Sequence, residues 1–461
     1  MIEYYLKHNP KKVKTNVNNL ISEIEKILKI ENINIEKTNL KEFPELESKI
    51  NESQHARISD LLHTLKVNSD NFPFFSKYLK KPQNKKSKKF NFADLFAGCG
   101  GLSLGMENAG FQCSFVNEID PVFCETHYFN NDLSLSNYHV CDINDILAKI
   151  TSISSEILQF DLVCGGPPCQ GFSMANRQKI LDDPRNNLYK AYLKFLQHTK
   201  PKFFVMENVK GMANKIDEII DDFDTYLNGE YDIHYSVLNA KDFGVPQNRE
   251  RFFIIGNRVG VSSLQIFNDI KQESQLIQFS LKDAIENLPP LKPKVEKNSN
   301  KSESNEHGYF IDKNQLVENT FTTFINNSKT SDYVFNHKNR FNNDRDIEIF
   351  SRLPQGANSL HPAIEDIMPY KSRNHIFKDK YFKLDENKVC KTITSHMKFD
   401  CNMYIHPSQP RGLSSREAAR VQTFPDSYVF RGSQNNWYAQ IGNAVPVKLA
   451  EVIGRNIIKH L

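Results

Sequence analysis

The chain has 461 residues and a formal net charge of +4, which leaves room for two or three domains and does not by itself indicate a nucleic-acid partner. The sequence contains no 18-residue apolar stretch, and Met1–Pro10 lacks the basic-then-apolar pattern of a signal peptide, so we expect a soluble protein of the cytosol. Its eight cysteines are scattered, mostly within apolar runs, which predicts reduced thiols and no disulfide framework.

The N-terminal region differs in charge from the rest of the chain. Residues 1–90 carry 18 Lys and Arg against 11 Asp and Glu, which leaves the remaining residues slightly acidic. Helix-like spacing of apolar residues predicts a helical extension over 1–79. The Lys-rich run 80–89 is interpreted as a solvated linker, with phosphate contact as the alternative.

From residue 90 the pattern alternates between short apolar runs and amphipathic stretches, which predicts a mostly parallel sheet wrapped by helices. The predicted strands are 91–97, 111–118, 138–142, 160–165, 203–207, 232–239 and 251–257. The predicted helices include 101–109, 121–130, 187–199 and 213–227. After residue 258 this rhythm stops, 309–385 looks irregular, and an amphipathic helix returns only at 445–461.

Three segments could carry chemistry, and each follows a predicted strand. Residues 94–101 (DLFAGCGG) form a Gly-rich turn that opens a helix, although the third glycine of a dinucleotide fingerprint is replaced by Ser103. Cys169 lies in the loop 165–173 (GGPPCQGFS), and a thiolate there is a nucleophile facing a cleft. Glu207 ends another apolar run and could act beside the thiol. A buried structural thiol is the alternative for Cys169, and a helix cap is the alternative for Glu207.

In this order and spelling, the three segments resemble the DNA cytosine-C5 methyltransferase family. The resemblance covers 90–258 and 390–461. It implies an α/β fold of the class I S-adenosylmethionine-dependent methyltransferase type, Rossmann-like, with a catalytic and cofactor-binding domain over 90–258. It further implies a smaller target-recognition domain over 259–435 and a C-terminal return, 436–461, that completes the catalytic domain.

The resemblance also implies a pocket for S-adenosylmethionine. Acidic residues after the second and third strands could bind ribose and adenine, although each alone could be a helix cap. By match to the family motif, the cofactor-binding residues are Phe96, Cys99, Gly100, Glu118, Ile119, Asp142, Ile143, Pro168, Leu188, Asn443 and Val445.

For catalysis, the resemblance implies that the Cys169 thiolate adds to cytosine C6, which makes C5 nucleophilic. Glu207 would hydrogen-bond or protonate N3, and Arg251 would contact the cytosine O2 and the neighbouring carboxylate. Arg249 would contact phosphate or support the site from behind. The target base must leave the duplex, and 170–185 would be the loop that closes over it.

Target recognition is less legible. The segment 411–428 is predicted to form a helix with an Arg and Glu face. Arg340, Arg345, Arg352, Arg373 and Thr392–Thr394 are candidates for DNA contact, with solvated surface residues as the alternative. Cys390, His396, Cys401 and His406 lack the spacing of a zinc site, so no metal is expected.

The sequence therefore predicts a site-specific methyltransferase acting on double-stranded DNA, a monomer that is functionally paired with a restriction endonuclease. Two alternatives remain open at this stage: an RNA cytosine methyltransferase on the same scaffold, and a catalytically inactive DNA-binding regulator.

Overall fold

A computed structural model describes residues 89–131, 133, 137–153, 157–168, 188–274, 278–295, 310–312, 316–327, 333–369 and 380–461. The chain divides into two compact units, 1–86 and 87–461, and the described residues all belong to the second. The predicted helical extension and nearly all of the Lys-rich linker lie outside the described residues, as do Cys169 and the predicted closing loop 170–185.

The described residues contain eleven strands, of which the sequence predicted seven, close to their observed positions. They are β1 (Asn91–Leu95), β2 (Gln112–Asn117), β3 (Tyr138–His139), β4 (Leu162–Gly165), β5 (Phe203–Val209), β6 (Asp232–Asn239), β7 (Gln247–Asn248), β8 (Glu250–Asn257), β9 (Phe310–Asp312), β10 (Tyr333–Phe335) and β11 (Cys390–Lys391). Seven of them form one sheet in the order β3-β2-β1-β4-β5-β8-β6. Strands β1 to β5 pair in parallel, and β8 runs antiparallel to both β5 and β6. The mostly parallel sheet is confirmed.

The helices are α1 (Gly101–Ala109), α2 (Pro121–Asn130), α3 (Ile143–Leu147), α4 (Leu188–Thr199), α5 (Ile216–Leu227), α6 (Ser263–Gln272), α7 (Leu281–Ile285), α8 (Thr320–Asn326), α9 (Asp344–Arg352), α10 (Ser415–Val421), α11 (Gln434–Asn443) and α12 (Val447–Ile458). None of the helices in the described part of the chain has the length and apolar character needed to span a membrane.

The sheet is buried because helices cover both of its faces. One core cluster contains residues of α1, α6 and α12, and another contains residues of α3, α4 and α5. The central runs 203–206 and 252–255 are fully buried. Strands covered on both faces read as continuous apolar runs, which is why the sequence revealed them.

Helix α12 packs tightly across α1, far from it in sequence. A Cβ added to Gly105 would lie 2.3 Å from the Ala450 Cβ, and one added to Gly454 would lie 2.7 Å from the Ala109 Cβ. Each helix therefore offers a glycine where the other approaches, and the two backbones come closer than larger side chains would permit. The domain boundaries drawn from the sequence stay a prediction.

Two expectations for the region after residue 258 were wrong. The segment 309–385 contains the antiparallel pair β9–β10 and the helices α8 and α9. The helix expected over 411–428 extends only over α10, and the Arg and Glu residues of this segment are buried. Arg411 pairs with Glu417 (2.6 Å) and Arg420 with Asp426 (2.8 Å), so burial of these charges is compensated by ion pairs.

Candidate active site

Several of the predicted site residues that the structure describes lie together because parallel strands end at one edge of the sheet. Leu95 at the end of β1 is in register with Asn117 at the end of β2 and with Gly165 at the end of β4. Gly165 is in turn in register with Met206 of β5. The loops after these strands, which hold Phe96, Glu118, Pro168 and Glu207, therefore share that edge, where ligands of open α/β sheets bind.

The Gly-rich turn after β1 has an unusual backbone. Phe96, Gly98 and Gly100 all have positive φ angles, of 57°, 58° and 89°. A Cβ added to Gly98 would meet no atom within 4 Å, so this glycine faces open space. A bare backbone beside open space is what close approach of a ligand requires.

Glu118 is buried behind this turn. Its Oε2 accepts a hydrogen bond from the Gly98 N–H (2.7 Å), and its Oε1 accepts from the Asp120 N–H (2.8 Å). Burial raises the pKa of this carboxyl group, and the backbone hydrogen bonds partly oppose that effect. A carboxylate has about four acceptor positions, so Glu118 retains capacity for ligand hydroxyl groups.

The neighbouring acidic residues cap helices. Asp120 accepts from the Val122 and Phe123 N–H groups at the start of α2, and Asp142 accepts from the Asn144 N–H at the start of α3. Ile119, between Glu118 and Asp120, is 65% exposed, whereas Ile143 is buried. An exposed apolar side chain at this edge offers a flat ligand a surface to cover.

The remaining predicted cofactor residues come from three other segments. Pro168 and Asn443 are exposed, Leu188 at the start of α4 is partly buried, and Val445 is buried. A Cβ added to Gly101 would lie 2.5 Å from the Val445 carbonyl oxygen, so the segment before α12 lies against the start of α1. Cys99 is buried, and burial raises the pKa of its thiol far above the usual range, so it is not a nucleophile.

The end of β5 is fixed to the loop that precedes Cys169. The Asn208 side-chain amide donates to the Pro167 carbonyl (2.9 Å). A Cβ added to Gly166 would lie 3.0 Å from the Glu207 Oε2, so the glycine lets this carboxylate lie against the loop. Glu207 is therefore placed directly behind the Pro-Pro segment, one residue of which immediately precedes the predicted nucleophile.

Glu207 pairs with Arg251. The Arg251 Nε lies 3.1 Å from the Glu207 Oε1, and both side chains are only about one-seventh exposed (15% and 13%). Burial raises the pKa of the Glu207 carboxyl group, although Arg251 and Arg249 lower it. The pair thus combines a carboxyl group that takes up a proton more readily than usual with a fixed cation.

Arg249 is fully enclosed, two residues before Arg251. Its guanidinium group donates to the carbonyl oxygens of Ile393 (2.6 Å), Gly442 (3.1 Å) and Ala444 (2.9 Å). It is 1% exposed, so of its two predicted roles this placement favours support from behind over phosphate contact. Arg249, which directly precedes β8, ties that strand to the segment that holds Asn443 and Val445.

Sequence reasoning missed a buried polar chain under the Gly-rich turn. The Ser103 hydroxyl group donates to the Asp94 Oδ2 (2.5 Å) and lies 2.9 Å from the His127 Nε2. The His127 Nδ1 lies 2.9 Å from the Tyr138 hydroxyl group and 3.1 Å from the Asn131 side-chain amide, so both ring nitrogens have buried polar partners. Asp94, a lone carboxylate within an apolar strand, was the signal that could have indicated this chain.

Tyr428 was also missed as a support for the turn. Its hydroxyl group donates to the Cys99 carbonyl oxygen, and a Cβ added to Gly100 would lie 2.9 Å from that hydroxyl. Tyr428 therefore fixes the loop on the side away from the open space. The sequence offered no indication of this contact because the two residues are distant in the chain.

The arginines suggested for DNA contact have different surroundings. Arg340 donates to three backbone carbonyls, and Arg352 pairs with Glu348 and Asp366. Arg345 is exposed, and Arg373 lies outside the described residues. Within the described ranges, no three His, Cys, Asp or Glu side chains cluster as metal ligands.

Comparisons with known proteins agree on one family. The family model described as C-5 cytosine-specific DNA methylase matches residues 90–459. The chain is 32% identical to the type II methyltransferase M.XorII of Xanthomonas oryzae pv. oryzae, covering 80% of this chain and 84% of that protein. It is also 32% identical to M.DdeI of Desulfomicrobium norvegicum, covering 80% and 88%. A crystal structure of a protein described as a DNA modification methyltransferase encoded within an E. coli prophage superposes with a TM-score of 0.61 at 26% identity, covering 80% of this chain and 99% of that one.

Proposed function

Because the chain belongs to the C-5 cytosine-specific DNA methylase family and is a DNA cytosine-C5 methyltransferase, we propose that it acts through a covalent adduct between Cys169 and cytosine C6. The observation that carries this proposal is the Glu207–Arg251 pair, which lies against Gly166 in the loop that leads to Cys169. The family and the fold imply S-adenosylmethionine as the methyl donor.

The residues at the sheet edge fit this donor. Gly98 faces open space beside Glu118, whose spare acceptor positions suit ribose hydroxyl groups. Exposed Ile119 and partly buried Phe96 suit an adenine ring, with Asp142 and Ile143 at the neighbouring strand end. Cys99 and Gly100 would contribute backbone contacts, and Pro168, Leu188, Asn443 and Val445 would complete the pocket. When bound, S-adenosylmethionine supplies an electrophilic methyl group on its sulfonium sulfur.

The chain's own part in the reaction begins at Cys169. Its thiolate forms a bond to C6, the C5–C6 π pair shifts to form a C4–C5 double bond, and the C4–N3 π pair moves onto N3, which takes up a proton. C5 thereby becomes the nucleophilic carbon of an enamine. Once C5 carries the methyl group, the C5 proton leaves to a base, which we propose to be a water molecule. The Sγ–C6 bond then breaks, restoring the ring double bond and the thiolate.

Glu207 and Arg251 would stabilise the charge that develops during addition. Glu207 gives its proton to N3 as the thiolate adds and takes it back when the thiolate leaves; burial favours the protonated form that this requires. Arg251, already held by Glu207, donates to O2. Arg249 positions both by fixing its strand to the 442–444 backbone.

Several relatives are named type II methyltransferases, and we extend to this chain the pairing with a restriction endonuclease that such enzymes have. We further propose that the enzyme reads one short site in duplex DNA, acts as a monomer in the cytosol and flips its target cytosine out of the helix. The family match does not favour RNA as substrate or an inactive regulator.

The test is methylation-sensitive sequencing of DNA from a host that expresses the chain or its Cys169→Ala variant. We expect C5-methylcytosine within one short motif for the unchanged chain and none for the variant. A variant that still methylates DNA would refute the adduct. Loss of both methylation and DNA binding in the variant would instead point to a folding role for Cys169, so binding is measured in parallel.

A further inference from the structure

Two glutamine side chains meet in the interior, between the catalytic arginines and the cofactor side of the site. Gln247, at the start of β7, and Gln422, directly after α10, are fully buried. The Gln247 Nε2 donates to the Gln422 Oε1 (2.8 Å), and we call these two side chains the amide pair. Ile393, Val421 and Ile441 nearby belong to one apolar core cluster. Polar groups in such a core cost stability unless each of them is hydrogen-bonded, so the partners of the amide pair are informative.

One half of the amide pair holds residue 393. The Gln247 Oε1 accepts from the Ile393 N–H (2.7 Å), and the Arg249 Nη1 donates to the Ile393 carbonyl oxygen (2.6 Å). Arg251, which we propose to contact the cytosine O2, follows two residues later in β8. Both polar backbone groups of Ile393 are therefore held by the stretch of chain that leads to Arg251.

The other half of the amide pair holds the segment with two predicted cofactor residues. The Gln422 Nε2 donates to the carbonyl oxygens of Ile441 (2.7 Å) and Ala444 (3.2 Å). Asn443 lies between these two carbonyl groups, and Val445 directly follows the second. Gln422 therefore fixes the backbone from which both predicted cofactor residues project.

These contacts close into a ring. The Ala444 carbonyl oxygen that Gln422 holds also accepts from the Arg249 Nη2 (2.9 Å). Hydrogen bonds thus lead from Gln247 to Gln422, Ala444, Arg249, Ile393 and back to Gln247. The orientation of both amides is fixed, because the Ile393 N–H can only donate and the Ala444 carbonyl can only accept. A fully bonded buried ring imposes one arrangement on its segments, which apolar side chains of the same size would not impose.

We propose that Gln247 and Gln422 are positioning residues for methyl transfer. Through the ring they hold Arg251, on the cytosine side, in a fixed relation to Asn443 and Val445, on the cofactor side. This inference rests on the proposed function and adds two residues that act on the reaction through others. Methyl transfer requires the acceptor carbon and the methyl group to be aligned at contact distance, so a small displacement of either side lowers the rate steeply.

The experiment compares the unchanged full-length chain with Gln247→Met, Gln422→Met and the double variant. Methionine has about the length and volume of glutamine and makes none of these hydrogen bonds. Asn257→Leu is the matched control: this buried amide donates to Val261 and Ser263, and it lies at the end of β8 that is paired with the start of β5, away from the site.

Three quantities are measured for each chain. They are the Kd for S-adenosylmethionine by calorimetry without DNA, the single-turnover rate of methyl transfer, and the melting temperature by circular dichroism. The rate is measured at saturating cofactor, on a duplex that carries the motif found by methylation sequencing. Gln247→Asn or Gln422→Asn, which keeps an amide on a shorter side chain, replaces a methionine variant that does not fold and carries the same expectation.

Each methionine variant should raise the Kd for S-adenosylmethionine about 3- to 10-fold and slow single-turnover methyl transfer about 10- to 100-fold. The double variant should stay within about threefold of the more impaired single variant, because residues that act as a unit are not additive. Asn257→Leu should also lower the melting temperature, yet leave the Kd and the rate within about twofold of the unchanged chain, since it is distant from the site.

The outcomes separate this inference from the proposed function. If the unchanged chain fails to methylate DNA, the proposed function is wrong. If it methylates DNA and the methionine variants lower only the melting temperature, as the control does, the amide pair supports the fold alone and the inference is wrong. A Gln247→Met variant that slows only methyl transfer, with a Gln422→Met variant that weakens only cofactor binding, would also overturn it, because the two residues would then act separately.

Discussion

The buried carboxyl group of Asp94 should make the stability of this protein depend on pH in a defined direction. Asp94 is 1% exposed, and one of its oxygens accepts from Ser103. Burial raises its pKa from 3.8 to about 7, with hydrogen bonds from Ser103 and Cys164 acting in the opposite direction. The folded chain therefore holds this proton between pH 4 and pH 7, where the unfolded chain has released it.

The sign follows from linkage. The stability that this proton contributes is fully present below the unfolded pKa and is lost as the pH rises through the folded pKa. At 1.36 kcal/mol per pKa unit, the interval from 3.8 to about 7 corresponds to about 4 kcal/mol. His127 acts in the opposite direction: burial lowers its pKa from 6.5 to about 4, so its contribution is lost as the pH falls through that range. The difference between a variant and the unchanged chain is therefore the quantity to measure.

Asp94→Asn keeps the shape and removes the titration. Relative to the unchanged chain, its free energy of unfolding should increase by about 4 kcal/mol between pH 4 and pH 8. Urea unfolding at several pH values measures this, followed by circular dichroism and by fluorescence of the chain's single tryptophan, the buried Trp437. Asp145→Asn, at an exposed position on α3, is the control and should show no such increase. A difference for Asp94→Asn that stays constant or shrinks as the pH rises would refute the reasoning.

Three further changes test the site and its supports. Glu207→Gln removes the proton donor, so single-turnover methyl transfer should slow by about 10²–10⁴-fold; a loss under threefold would contradict its role. Tyr428→Phe removes the hydrogen bond to the Cys99 carbonyl oxygen. In steady-state kinetics the KM for S-adenosylmethionine should rise about 2- to 10-fold with kcat little changed. An unchanged KM would mean that the Gly-rich turn is fixed without this hydrogen bond. Gly105→Ala places a methyl group 2.3 Å from the Ala450 Cβ, and thermal unfolding should reveal a loss of about 1–3 kcal/mol; an unaltered melting temperature would show that the helices can separate freely.

Much of the catalytic fold was predictable because its signals are local. Runs such as 203–206 are apolar throughout since helices cover both faces of the sheet, and helices such as α2 begin at a capping aspartate. The direction of β8 was not predictable, because antiparallel and parallel strands with the same burial have the same composition. The burial of Arg416 and Arg420 in α10 was also not predictable, because it depends on Asp426 and on carbonyl groups that are distant in the chain.

The candidate site likewise combines features that the sequence predicts with features that only the folded chain shows. Glu207 and Arg251 could be named from motifs, and their pairing in the structure agrees with the predicted arrangement, although the chemical roles of all site residues stay predictions. The Asp94–Ser103–His127 chain joins a strand and two helices, and no spacing rule connects them. Arg249 could be named from its motif, but its burial depends on carbonyl groups of residues 393, 442 and 444, which only the folded chain brings together.

The crossing of α1 and α12 has a consequence for the order in which the enzyme acquires activity. During synthesis α1 and the Gly-rich turn leave the ribosome long before α12, yet Gly105 and Gly101 have their contacts with Ala450 and Val445. The face of α1 that α12 covers therefore stays exposed until α12 has been made. We therefore expect methyl transfer only from chains in which α12 has been made and has packed on α1.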